Sequence, residues 1–162
     1  MSRVATIGVY GFSAETFLEA LLLADVRQLL DVRQRRGVRG TEYAWANAGR
    51  LTSALDDAGI EYRHHLELAP TTEMRQLQYA ADAKQGIGKR NREALAPEYV
   101  ERYTADVLDL ADLDELVADL PADGRAALMC VERDAEACHR SLIAARLADR
   151  HGVEITHLRP AD

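Results

Sequence analysis

Cysteine and long apolar runs are scarce in this chain, and each scarcity excludes a class of protein. Two cysteines among 162 residues are too few for a disulfide framework, so we expect both thiols to be reduced. No segment reaches the roughly 18 consecutive apolar residues that a membrane-spanning helix needs. The first residues follow a strand pattern and not the apolar segment of a signal peptide, so we expect a cytoplasmic protein with no membrane partner.

Positive charge is also in the minority, and its distribution is uneven. The 27 acidic residues outnumber 20 Lys and Arg, and the net charge of −7 argues against wholesale binding to nucleic acid or anionic membranes. Residues 27–50 nevertheless carry six arginines against two acids, and residues 83–93 carry four basic residues against one acid. Two basic loops of this kind suit an anionic small molecule or a nucleic-acid strand. A solvated, solubilising surface explains them equally well.

Apolar runs alternate with helical patterns along the chain, which predicts an α/β fold. Strands are predicted over residues 5–10, 26–32, 60–65, 126–131 and 153–158. Helices are predicted over residues 13–24, 45–58, 72–82, 98–119 (as one helix or two) and 135–150. We expect residues 1–162 to form a single domain with a mostly parallel central sheet of about five strands, flanked by helices.

Polar side chains follow four of these predicted strands. Because ligands bind at the carboxyl ends of strands in open α/β sheets, these side chains are candidates for one common site. The candidate substrate-binding residues are Ser13, Arg33, Arg39, Tyr43, His64 and Arg140, and the candidate catalytic residues are Asp31, Glu132, Cys138 and His139. His64 and His65 are adjacent on a strand and point to opposite faces, so only one of them can serve the site.

The segment that runs from Cys130 to Ser141 holds both cysteines and lies between a strand and a helix. With Asp134 as the helix N-cap, Cys138 and His139 fall in the first turn, where the helix dipole favours an anion and lowers a thiol pKa. Arg140 then adds a bidentate grip on phosphate or carboxylate. The alternative interpretation is a buried structural cysteine beside solvated neighbours.

The two acidic candidates each have two interpretations. Glu132 serves as a general acid or base, or it lies exposed beyond the strand end. Asp31, at the end of a buried strand, forms an ion pair with Arg33 or orients another residue of the site.

No motif indicates a cofactor or a metal. The spacing C-x₇-C-H from Cys130 to His139 matches none of the common zinc-binding pairs, so we predict no metal site. The chain also lacks the glycine-rich phosphate loop and the dinucleotide-binding fingerprint.

Several motifs resemble the bacterial and archaeal domain-of-unknown-function family 488 over nearly the whole chain. They are Thr6-Ile-Gly8 with Phe17 and Leu21, Leu30-Asp-Val-Arg33, Gly59-Ile-Glu-Tyr62 with His64, Leu68-Ala-Pro-Thr71, Met129-Cys-Val-Glu132, and Cys138-His-Arg140. The chain departs from the family pattern at Gln34-Arg-Arg-Gly-Val-Arg39, and at Leu68-Ala-Pro70 in place of Leu-Gly-Gly. The resemblance implies a compact α/β domain and supplies no reaction. It points to Asp31, Arg33, His64, Glu132, Cys138, His139 and Arg140 as the functional residues.

A fainter resemblance links the chain to rhodanese-type sulfurtransferases, in which Cys130 matches the persulfide-carrying cysteine. Glu132, Asp134 and Glu136 stand where that family has a loop rich in glycine and serine, and their charge repels a persulfide. The sequence therefore favours a hydrolase or group-transfer enzyme acting on a phosphate-bearing substrate, a nucleotide or a nucleic acid. The alternatives are thiol chemistry and a non-catalytic module that binds nucleic acid or another ligand; the oligomeric state is not indicated.

Overall fold

The computed structural model describes residues 2–88 and 91–161, which form an α/β fold around one five-stranded sheet. The strands are β1 (Arg3–Ile7), β2 (Val26–Asp31), β3 (Glu61–His64), β4 (Arg125–Met129) and β5 (Glu154–His157). The helices are α1 (Ala14–Leu23), α2 (Ala48–Asp57), α3 (Thr72–Lys84), α4 (Pro97–Asp106), α5 (Leu113–Ala118) and α6 (Arg140–His151). None of these helices is long and apolar enough to cross a membrane. Lys89 and Arg90 of the second basic segment lie outside the described residues.

All neighbouring strands of the sheet are parallel, in the order β3-β2-β4-β1-β5. This confirms the predicted α/β class and the parallel sheet. Successive strand residues alternate between two buried clusters, as Leu29 and Leu30 do in β2. Helices α1 and α2 cover one face, and helices α3 to α6 cover the other.

The order of the strands determines where a crevice opens. The chain leaves β2 toward β3 on one side and leaves β4 toward β5 on the other, and the connecting helices α2 and α6 lie on opposite faces. Adjacent strands with connections that diverge in this way define a topological switch point, where α/β proteins bind ligands. Here that point lies at the carboxyl ends of β2 and β4.

One predicted strand boundary needs correction. The N-terminal strand ends at Ile7 and not at residue 10, because the chain leaves the ladder at Gly8 and both Val9 and Tyr10 donate to the carbonyl of Val131. The segment predicted as one helix or two over 98–119 forms two helices, α4 and α5, with a 3₁₀ turn over 108–110 between them.

The predicted start of the last helix is wrong. Asp134 does not cap α6: residues 135–137 form a 3₁₀ turn, and Cys138 is extended, with φ −138° and ψ 147°. Helix α6 begins at Arg140 with His139 as its N-cap residue, so Cys138 precedes the helix instead of lying in its first turn.

Candidate functional site

A cavity of about 880 Å³ opens at the switch point between β2 and β4. Its walls come from the segment after β2 (33–39), the segment after β4 (130–139), the first half of α3 and the chain that leads to α4. The volume falls within the range of roughly 300–1,000 Å³ that is typical of small-molecule sites.

Positive charge dominates the described lining of this cavity. Five arginines contribute to it against a single acidic residue, Glu132. The arginines are Arg33, Arg35, Arg39, Arg75 and Arg92. The whole chain carries a net charge of −7, so the excess of arginine in this lining is opposite in sign to the chain as a whole. Arg33 and Arg92 pair with buried carboxylates, so the exposed and half-buried arginines supply the excess positive charge that can attract an anionic ligand.

The arginines at the mouth differ from those in the walls. Arg35 and Arg39 are exposed. Arg75 is half-buried and donates to Gln34 Oε1 at 2.9 Å, and its guanidinium carbon lies 5.7 Å from the ring centroid of Tyr79. These side chains can therefore reach a ligand as it enters.

Arg33 is fixed by Asp31 in the wall of the cavity. Its Nε and Nη2 donate to the two oxygens of Asp31 at 2.9 and 2.8 Å, and both side chains are buried. Tyr62 also donates to Asp31 at 2.6 Å. Burial lowers the pKa of Arg33, but the hydrogen bonds and charge of Asp31 outweigh it and raise that pKa above its ordinary value. The predicted ion pair between these two residues is confirmed.

Arg92 forms a second buried ion-pair network in the wall of the cavity. It contacts Asp82 Oδ2 at 2.9 Å, Glu132 Oε1 at 3.3 Å and the carbonyl of Ala137 at 3.1 Å. Neither Asp82 nor the burial of Arg92 was predicted from the sequence. One signal was present: Gln78 and Asp82 share the buried face of α3 with Met74 at a spacing of four residues, and polar groups there need partners.

The floor of the cavity holds the two cysteines and a histidine. His139 Nδ1 lies 3.9 Å from Cys130 Sγ and 3.6 Å from Cys138 Sγ. The donor atoms of all three residues lie within 4.8 Å of one another, and all three side chains are buried. His139 Nε2 donates to the carbonyl of Val32 at 2.8 Å, and the ring packs against Tyr103.

The pKa values of these three groups shift in different directions. For Cys138, burial raises the thiol pKa, but a hydrogen bond from Cys130 and the charges of His139 and Arg140 bring it well below its ordinary value. The hydrogen bond with Cys138, together with burial, raises the pKa of Cys130. Burial lowers the pKa of His139, yet the charge of Cys138 raises it overall. Cys138 is therefore the sulfur of the pair that loses its proton more readily.

Five of the predicted site residues line the cavity: Arg33, Arg39, Glu132, Cys138 and His139. The other five lie outside its lining: Asp31, His64, Ser13, Tyr43 and Arg140. Residues that follow three of the strands line the cavity, as expected. They are Tyr10 after β1 and the segments after β2 and β4. The end of β3 does not contribute, since neither His64 nor His65 belongs to the lining.

The predicted residues outside the lining support the structure around it. Arg140 is fully buried and donates to the carbonyls of Glu132 and Arg133 at 2.8 and 3.2 Å, so its guanidinium holds the 130–139 segment. His64 donates to the carbonyl of Arg33 at 2.8 Å.

Ser13 and Tyr43 make contacts near the start of α1. Ser13 accepts from the backbone N–H of Thr16 and caps the helix. Tyr43 Oη accepts from the N–H of Gly11 at 3.0 Å, and its ring packs against Tyr10, which does line the cavity.

Fold and site together define a parallel α/β protein with an arginine-lined cavity at its switch point. The model of the domain of unknown function DUF488 matches residues 13–147, and the chain belongs to that family. No curated protein and no solved structure matches the chain. This is the same family that the motifs in the sequence resemble.

Proposed function

We propose that this protein is a hydrolase or group-transfer enzyme whose substrate carries a phosphate group. The observation that supports the proposal is the excess of arginine over acidic residues in the lining of the cavity, on a chain with a net charge of −7. Arginine presents a planar set of N–H donors that matches the oxygens of phosphate.

The exposed arginines Arg35 and Arg39, together with Arg75, are the proposed phosphate-binding groups. Arg75 is oriented by Gln34 and by the Oη atom of Tyr79 at 3.1 Å. The Tyr79 ring lines the same cavity and offers a flat face on which a base can stack. A mononucleotide therefore fits the proposal better than a bare phosphate ion does.

Glu132 is the proposed general base or acid. It is the acidic residue of the described lining, and Arg92 holds one of its oxygens at 3.3 Å. A carboxylate fixed in this way can accept a proton from a water or hydroxyl nucleophile that enters the cavity. Because Arg92 is itself anchored by Asp82, the position of the carboxylate does not depend on the substrate.

A substrate panel tests the proposal. Nucleotides, sugar phosphates and 5′-phosphorylated oligonucleotides are incubated with the protein, and the products are followed by phosphate release and mass spectrometry. We expect turnover of one phosphate-bearing class. We also expect Arg75→Ala to raise KM by about 10-fold or more, which corresponds to the loss of one charged hydrogen bond. The exposed Arg150, at the far end of α6, gives the matched control Arg150→Ala, for which we expect unchanged kinetics.

The same assay also tests whether Glu132 is the general acid or base. We expect Glu132→Gln to retain substrate binding and to lose turnover.

Binding of a phosphate-bearing ligand with no turnover of any panel member would contradict an enzymatic role and indicate a ligand-binding module. Sulfur transfer from thiosulfate, with no reaction on phosphate esters, would overturn the proposed substrate class.

A further inference from the structure

We propose that Cys130, Cys138 and His139 bind a zinc ion through three protein ligands, with the fourth position open to the cavity. This inference goes beyond the proposed function and does not rest on it, because metal binding requires only these three side chains. It also reverses the expectation from sequence spacing. The common zinc patterns describe ligands on short knuckles, whereas here a strand end and a helix start bring the ligands together.

The distances between the donor atoms fit a tetrahedral ion. With Zn–S near 2.3 Å and Zn–N near 2.05 Å, tetrahedral angles place S and N about 3.6 Å apart and two sulfurs about 3.8 Å apart. The two sulfur–nitrogen distances to His139 Nδ1 are 3.6 and 3.9 Å, and every donor pair lies within 4.8 Å. An ion therefore requires only small movements of the side chains.

The hydrogen bond of His139 to the backbone selects the tautomer of the neutral ring that a metal needs. Its Nε2 lies 2.8 Å from the carbonyl oxygen of Val32, which can only accept a hydrogen bond, so Nε2 carries the hydrogen. In the neutral ring the lone pair is then on Nδ1, which is the atom that faces both sulfurs. Metal-binding histidines usually donate their other N–H to a carbonyl or carboxylate, and Val32 supplies that group here.

The segment that carries the ligands is held in place by interactions independent of any ion. The guanidinium of Arg140 donates to the carbonyls of Glu132 and Arg133, and Arg92 donates to the carbonyl of Ala137. The ring of Tyr103 packs 5.4 Å from that of His139. The ordering cost of forming the site is consequently small.

Charge balance favours zinc in this buried position. Two thiolates and one neutral imidazole carry a charge of −2, which Zn²⁺ neutralises, so a buried complex has no net charge to desolvate. All three ligand residues also line the cavity. Three protein ligands and one open position are the arrangement of catalytic zinc sites, in which the ion lowers the pKa of bound water.

Cobalt substitution tests the site with the metal alone. The full chain is treated with a chelator under a phosphine reductant, and Co²⁺ is then titrated in while the thiolate-to-cobalt charge-transfer band is recorded. We expect one equivalent to bind, the band to show two thiolate ligands, and Zn²⁺ to displace the cobalt. We expect Cys138→Ser to weaken affinity by more than the roughly 10- to 100-fold that loss of an outer hydrogen-bond partner causes.

A histidine outside the cluster supplies the control. His65 pairs with Glu67 and lies away from the cavity lining, so His65→Gln should leave cobalt binding unchanged, whereas His139→Gln should weaken it. If the ligand variants fail to fold, protection of both wild-type thiols from alkylation by stoichiometric Zn²⁺ provides the same test. A wild-type protein that shows no thiolate-to-cobalt band, or thiols that Zn²⁺ does not protect, would overturn the proposal. None of these readouts depends on phosphate chemistry.

Discussion

Two of the cavity arginines are buried, and each forms an ion pair with a buried carboxylate. Arg33 is 2% exposed and forms an ion pair with Asp31, and Arg92 forms an ion pair with Asp82. A buried charge with a hydrogen-bonded partner is tolerated, whereas the same charge without that partner is strongly destabilising. Asp31 therefore positions Arg33 and does not itself line the cavity.

Asp31→Asn should destabilise the protein by about 3–5 kcal/mol, because it leaves the guanidinium of Arg33 buried without a counter-charge. Chemical denaturation followed by circular dichroism measures the change in the free energy of unfolding. Glu61→Gln is the matched control, since Glu61 pairs with Arg63 at the surface with half of its side chain exposed. We expect a loss below about 1 kcal/mol there. Equal losses in the two variants would contradict the role assigned to Asp31.

At the scale of the element, the segment 130–139 decides the shape of the site. It packs directly against the end of β1, where Gly8 leaves no room for a side chain: an added Cβ would lie 1.8 Å from the carbonyl oxygen of Glu132. The close approach of these two backbones places Glu132 and the cysteines at the cavity floor.

Gly8→Ala should therefore displace the 130–139 segment and cost at least about 1–3 kcal/mol of stability. Gly49 provides the control, because it lies in α2 with open space around it. Gly49 is the second residue of α2, so Gly49→Ala should change the free energy of unfolding by less than about 0.5 kcal/mol. Thermal and denaturant unfolding of both variants measure the difference, and a Gly8→Ala variant as stable as wild type would refute the close packing.

The sequence predicted which strands and helices form better than it predicted the residues at which they begin and end. Strand and helix periodicity located β2, β3 and α3 within two residues at each end. The start of α6 was wrong because Asp134 and the helix-forming residues after it resemble a capped helix. Long-range contacts override that local preference: Arg92 binds the carbonyl of Ala137, and Arg140 binds those of Glu132 and Arg133.

The candidate site was predictable only in part, for the same physical reason. Parallel topology alone brings the ends of β2 and β4 together, so Arg33, Glu132 and His139 were identified from sequence order. Arg75 and Arg92 reach the cavity from α3 and the segment before α4, whose packing no local pattern specifies. A buried ion pair such as that of Arg92 with Asp82 becomes visible only when both elements are in place.

For the whole molecule, the acidic surface and the basic cavity have a joint consequence. The net charge of −7 repels polyanions in general, while the lining of the cavity attracts an anion small enough to enter it. We therefore expect binding of a compact phosphate-bearing molecule to exceed binding of long nucleic acid, and to weaken as salt concentration rises.

The most direct measurement is an amide chemical-shift titration of the ¹⁵N-labelled protein with pyrophosphate and with a mononucleotide. We expect saturable shifts confined to the segments 33–39, 72–79 and 130–139, and their loss in Arg39→Ala/Arg75→Ala but not in Arg150→Ala. Shifts scattered over the surface, or a saturable site elsewhere on the fold, would contradict the assignment of this cavity as the anion-binding site.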